Sequence, residues 1–222
     1  MKVGVSHRAF FDSIQEIWPE AELVKSYAQV GKYKLIVFTG GEDINPKLYG
    51  QTNKASFFSQ ARDDWEIPIL KAALANKSVK IFGICRGHQL INAILGGILT
   101  QDILMEGYVS HKGRHELEGI KSGTLVGCYK GEKVNFLHHQ GVIRQGRILY
   151  PTSSRDGVIE STEGPNIVSV QFHPEFMLGE EATTKFFETI NKWVEGEIKE
   201  ASAANFTIMP STTTRTGIAN FI

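Results

Sequence analysis

Short runs of β-branched and aromatic residues return along this chain at intervals too long for hairpins: Val3 to Val5, Leu35-Ile36-Val37-Phe38, Ile81 to Ile84 and Val168-Ser169-Val170-Gln171-Phe172. They are apolar nearly throughout rather than alternating, so both faces of each strand need covering. The segments between them have helical spacing. Phe10, Ile14, Ile17 and Trp18 share a face before Pro19 closes the run. Ile67, Leu70 and Leu74 do the same within Asp63 to Ala75, where Asp63 and Asp64 read as capping acids and Pro68 as a residue of the first turn. Leu90, Ile91, Ile94 and Leu95 mark a third helix that stops at Gly96-Gly97. Strand, helix, strand, helix implies an α/β fold whose mostly parallel sheet is covered on both faces.

Residues 107 to 165 have another texture. Lys130-Gly131, Gln145-Gly146, Asp156-Gly157 and Glu163-Gly164-Pro165 are turn signals that separate short strand-like runs such as Leu125 to Tyr129 and Gly157 to Glu160. A small antiparallel excursion is expected there. A last helix, about Glu180 to Lys199, carries Phe186, Phe187, Ile190 and Trp193 on one face, and residues 201–222, rich in Ser, Thr, Ala and Asn, read as a flexible tail. One domain over residues 1–200 follows, since 222 residues that are 41% hydrophobic can fill one sizeable core.

Charge and cysteine content exclude several classes of function. Lys plus Arg total 24 and Asp plus Glu total 24, so no net field favours nucleic acid or an anionic membrane. With neither a signal-like amino terminus nor an apolar stretch of roughly 20 residues, a soluble cytoplasmic protein is the simplest expectation. Cys85 and Cys128 are too few for a disulfide framework and fit a reducing compartment.

Chemistry concentrates at Gly83-Ile84-Cys85-Arg86-Gly87, where a strand gives way to a helix. Small residues flanking so sharp a bend aim the side chain at its apex into a cleft. A thiol attacks as the thiolate, and the amino terminus of a helix favours that form. A free cysteine is more often a buried structural one, so Cys85 alone settles nothing. Gln171-Phe172-His173-Pro174-Glu175 adds a histidine at a strand end, with a carboxylate two residues on to hold its second nitrogen. Thr39-Gly40-Gly41-Glu42-Asp43, directly after a strand, supplies glycines whose N–H groups can turn towards an oxyanion, with the Arg86 N–H as second donor.

These segments, with Gly40 to Gly50, Arg62-Asp63 and Glu66, Gln89 and Asn92, Gln101-Asp102, His138-His139-Gln140, and Asp156-Gly157 with Glu160, stand in the order found in class I glutamine amidotransferase-like proteins. More narrowly, the chain resembles the γ-glutamyl-γ-aminobutyrate hydrolase, or γ-glutamyl peptidase, branch over about Val3 to Trp193. The resemblance implies a flavodoxin-like three-layer fold, a Cys85, His173, Glu175 triad and an oxyanion hole from the Gly41 and Arg86 backbones. It places His139 on the leaving-group side, although a hydrogen-bonded loop histidine is the alternative. Phe136 stands where the family has a serine ahead of its His-His-Gln. Gln89, one helical turn beyond Cys85, could bind a substrate's α-amino or α-carboxylate group or belong to a solvated polar face.

The expected reaction is hydrolysis of a γ-glutamyl amide through a thioester on Cys85, with a small-molecule γ-glutamyl substrate and no cofactor. The alternatives are a glutaminase subunit feeding ammonia to a synthase or ligase partner, and a non-catalytic interaction module; a homodimer is left open. His111 and His115, four apart, invite a metal reading, but no third ligand of convincing spacing accompanies them, so none is assigned. Arg62, Asp63 and Asp64 read as caps and pairs at a helix start, and Cys128 as core.

Overall fold

The computed structural model describes residues 1–200; the expected tail, 201–222, lies outside the described residues. Strands β1 (Val3–Val5), β2 (Glu22–Leu23), β3 (Leu35–Phe38) and β4 (Lys80–Ile84) come first, with helices α1 (Phe11–Ile17) and α2 (Gln60–Ala75) between them. Helix α3 (Arg86–Ile94), β5 (Ile98–Thr100), β6 (Lys112–Glu116) and β7 (Lys133–Leu137) follow. The described chain closes with β8 (Gly141–Arg144), β9 (Tyr150–Arg155), β10 (Val158–Gly164), β11 (Ile167–Val170) and α4 (Glu181–Glu195).

The central sheet runs β2-β1-β3-β4-β11-β10-β8-β5, with β9 on β10. From β2 to β11 the strands are parallel; β10, β8, β9 and β5 pair antiparallel. The α/β class is thus present, with the parallel half in flavodoxin-like order. The small antiparallel excursion expected from the sequence is there. β8, β9 and β10 extend the central sheet, and β6 with β7 form a separate two-stranded one.

Alternation along the parallel strands explains the three layers. Leu35, Val37, Phe82, Ile84, Val168 and Val170 pack with Ile14, Trp18, Phe186, Ile190 and Trp193 on one face. Ile36, Phe38, Ile81 and Ile167 pack with Ile69, Leu70, Leu90 and Ile91 on the other.

Three local expectations change. Leu125–Tyr129 is a 3-10 turn, not a strand: Leu125, Val126 and Tyr129 recur at helical spacing and are buried, and the Tyr129 hydroxyl donates to Thr183 Oγ1 on α4 at 3.1 Å. Cys128, half-buried, lies on this turn. Helix α2 starts at Gln60, capped by Ser59, whose hydroxyl accepts from the Arg62 N–H; Asp63 is released to point inward, and Pro68 sits inside the helix rather than in its first turn.

Candidate active site

Three neighbouring parallel strands deliver the expected machinery to one edge of the sheet. β3 ends in Thr39-Gly40-Gly41, β4 in Cys85 and β11 in Gln171-Phe172-His173, and ligands of open α/β sheets bind at such carboxyl ends. The register pairs Ile84 with Val170, and the Cys85 N–H continues it by donating to the Val170 carbonyl at 2.8 Å. Cysteine and histidine meet because their strands are adjacent.

Cys85 has φ 50° and ψ −101°, a conformation costing roughly 1–3 kcal/mol for a residue with a side chain. Close packing enforces it. A Cβ on Gly87 would collide with the Phe38 carbonyl, and one on Gly83 would stand 2.9 Å from the Gly87 backbone. The first turn of α3 therefore rests directly on β3 and β4. The thiol is less exposed than a sharp turn suggested: Cys85 is buried, and the Gln171 amide donates to its Sγ at 3.5 Å.

His173 Nδ1 and Glu175 Oε1 are 2.7 Å apart. A carboxylate only accepts, so Nδ1 carries the proton and Nε2 is left for the thiol. Burial works against the imidazolium, but the hydrogen bonds it donates to Cys85 and Glu175 outweigh it and push His173 up to about 10. The ring stacks on Phe176 at 5.0 Å and meets the edge of Phe10 at 5.7 Å. Phe10, expected on the buried face of α1, instead precedes that helix and walls the site. A Cβ on Gly40 would press against the imidazole, which explains a glycine there.

A buried charge network holds the glycine turn and the elbow together. Arg62 Nη2 donates to the Thr39 and Gly40 carbonyls at 3.0 and 2.8 Å and lies 3.4 Å from Glu66; Nη1 donates to Glu42 at 2.9 Å. Arg86 pairs with Asp63 at 2.5 Å and with Glu66. Burial lowers the Arg86 pKa and raises that of Asp63, the direction expected when charges are withdrawn from water. Pairing at a helix start was expected of Arg62 and Asp63; a clamp on the glycine turn was not. In a trans peptide the C=O and the next N–H point apart, so fixing the Gly40 carbonyl on Arg62 turns the Gly41 N–H away from Arg62. Gly41 itself has φ 135°, open only to glycine.

Gln89 is buried, and its Nε2 donates to Gln171 Oε1 at 3.2 Å and the Gln140 carbonyl at 3.4 Å. It reaches the cysteine through Gln171 rather than standing free in the cleft. His139 is part-exposed: Nε2 is 3.1 Å from Asp43 and Nδ1 3.9 Å from Asp102, and the Asp43 hydrogen bond raises its pKa. Asp102 also lines a groove with Gln51, Lys54, Met105 and Glu106. His111 and His115 share no helical face. His115 is on β6 with Nε2 2.7 Å from the Lys112 carbonyl, whereas His111 turns inward to His138 and Glu160.

The sequence profile described as Peptidase C26 matches residues 16–175, which include Cys85, His173 and Glu175. The chain belongs to the Peptidase C26 family. A Mycobacterium tuberculosis protein described as a candidate glutamine amidotransferase is 35% identical over 63% of this chain, and that match spans 50% of the relative's own length. A glutamine amidotransferase-like protein of Lactococcus lactis is 31% identical over 78% of this chain and 82% of its own. Among solved structures, a candidate component of GMP synthase from Thermoplasma acidophilum superposes with a TM-score of 0.66 at 15% identity, over 89% of this chain and 97% of that one, a likeness of fold.

For this Peptidase C26 chain, sequence reasoning missed two site residues. Gln171 lies inside a recognisable motif, but nothing in the spacing points to its contact with the thiol. Asn135, on β7, donates from Nδ2 to the His173 carbonyl and accepts from the His173 N–H, and only three-dimensional proximity could have identified it.

Proposed function

We propose that this Peptidase C26 chain is a cysteine-dependent hydrolase of γ-glutamyl amides, of the γ-glutamyl-γ-aminobutyrate hydrolase kind. The observation that carries the reading is geometric: Cys85 on its strained elbow is bonded through its N–H to the strand that leads to His173, whose Nδ1 lies 2.7 Å from Glu175 Oε1. Proton transfer from the Cys85 thiol to His173 generates a thiolate nucleophile beside an imidazolium acid.

Cys85 Sγ attacks the γ-carboxamide carbon, and the C=O electron pair moves to oxygen. In this reading the Gly41 and Arg86 N–H groups receive that oxyanion. His173 Nε2 passes its proton to the departing amine as the C–N bond breaks, which leaves a γ-glutamyl thioester and a neutral imidazole. Water then attacks the thioester, losing its proton to His173, and the thiolate leaves with glutamate as product. Glu175 holds the ring and balances its charge throughout. Asp102, which lines the groove and lies near His139, offers a carboxylate to an amine on the leaving side.

A second reading, a glutaminase subunit that hands ammonia to a synthase or ligase, is favoured by the amidotransferase names of the two curated relatives. Incubating the purified chain with glutamine and with a panel of γ-glutamyl amines separates the readings. Amine release without a partner supports hydrolysis, whereas turnover only of glutamine, and only once a synthase is added, supports the second. A third, non-catalytic reading predicts that a glutamine-like electrophile labels Cys85 no faster than Cys128.

A further inference from the structure

Away from the thiol, at the junction of the two sheets, three polar side chains face one another in an interior that gives them little else to bind. His111 precedes β6, His138 follows β7 and Glu160 lies in β10; all are buried, and one ligand atom from each falls within 4.8 Å of the others. Both Glu160 carboxylate oxygens, both His111 ring nitrogens and His138 Nε2 are without hydrogen-bond partners. Buried polar atoms are rarely left so, and a cluster of five asks for an occupant.

The protonation pattern says what kind. His138 Nδ1 lies 2.7 Å from the Gln140 carbonyl, which can only accept, so the proton of the neutral ring sits on Nδ1. Its Nε2 lone pair then faces a carboxylate oxygen 3.6 Å away, two electron-rich atoms directed at one another. His111 Nδ1 is 2.9 Å from the other carboxylate oxygen without the angles of a hydrogen bond. A cation between them turns the His138–Glu160 repulsion into two bonds and takes up the lone pair of His111 as a third. Ligands about 2.0–2.1 Å from a tetrahedral zinc ion stand roughly 3.3 Å from each other, which the two nitrogen-to-oxygen separations bracket. A metal-ligating histidine commonly donates its other ring N–H to a backbone carbonyl, as His138 does to Gln140. His111 and His138 also border a small cavity with Ile103, Leu104 and Ser110, with room for a water molecule beside the cluster.

We propose that His111, His138 and Glu160 form a binding site for a divalent transition-metal ion, Zn2+ being the occupant that two imidazoles and a carboxylate suit. The ion pins the β6–β7 sheet to the central one. That matters to the reacting centre because Asn135 on β7 brackets the His173 backbone, and the Glu160 carbonyl accepts from the Gln171 N–H. Its role is positional, and it stands whether or not the γ-glutamyl reading does.

The test uses full-length Cys85→Ala protein, so that the thiol cannot take the metal. Equilibrium dialysis against Zn2+ should leave one equivalent bound and raise Tm, and Co2+ should give the visible bands of a four- or five-coordinate nitrogen and oxygen site. Glu160→Gln should weaken binding by at least ~10-fold, the lower end of what loss of an outer-shell partner costs. Crystals grown with Zn2+ should show an anomalous peak among the three side chains, a readout that needs no variant at this site. A peak elsewhere, a peak there without anomalous signal (an ordered water), or binding that Glu160→Gln leaves unchanged would overturn the proposal.

Discussion

The Asn135 carboxamide brackets the His173 backbone, its Nδ2 donating to the carbonyl at 2.9 Å and its Oδ1 accepting from the N–H at 2.8 Å. His173, three residues beyond β11, is thereby registered by a residue of the other sheet. Asn135→Leu should lower kcat by up to about 100-fold with a smaller change in KM, since small misplacements of a reacting group are costly. Asn135→Asp keeps the acceptor and loses the donor, so it should fall between; steady-state kinetics of the three proteins checks the order.

The elbow makes an unusual prediction about stability. With Cys85 at φ 50°, Cys85→Gly should be more stable than Cys85→Ala by roughly 1–3 kcal/mol, although both are inactive. Denaturant titration of the two variants decides it, and equal stabilities would mean that the backbone relaxes.

The pH dependence follows from His173. Its folded pKa of about 10 lies above the ordinary value of 6.5, so its contribution to stability is fully present below about pH 6.5 and is lost as pH rises through about 10. Acylation, which needs the imidazolium to protonate the leaving amine, should decline over the same upper limb. In Cys85→Ala the hydrogen bond that the imidazolium donates to the Cys85 sulfur is gone, and the imidazole midpoint, followed by NMR, should fall. An unchanged midpoint would mean that Cys85 is not its partner.

Arg62→Met should cost ~3–5 kcal/mol, because it strips Glu66 of one counter-charge and orphans the Thr39 and Gly40 carbonyls. Arg62→Lys keeps the charge, but one ammonium cannot replace a fork that spans Glu42, Thr39 and Gly40. It should retain more stability than Arg62→Met and still lose turnover, as the Gly40-Gly41 peptide is freed. Tm and kcat measured together separate the two effects.

How much of this was legible in the sequence follows from how local each signal is. Apolar strands, the glycines around Cys85 and the His-Pro-Glu at a strand end are set by chain-local rules of backbone space and periodicity, and the fold class and the meeting of Cys85 with His173 followed from them. Leu125–Tyr129 reads as a strand by itself because five apolar-rich residues fit either period, and the groove offered by α4 decided for a helical turn. Ser59 displaced Asp63 as the cap because Asp63 had a distant partner in Arg86. Asn135, Gln171 and the His111, His138, Glu160 cluster owe their roles to contacts between segments far apart in the chain, which spacing does not encode.

The linked charges of Arg62, Asp63, Glu66 and Arg86 have a bearing on how such a chain can change over generations. Each position is answerable to at least one other, so a lone replacement strands an ion in the interior while a matched exchange keeps the interior neutral. Substitution here should therefore proceed in concert, and descendants that differ at one of the four should differ at a second.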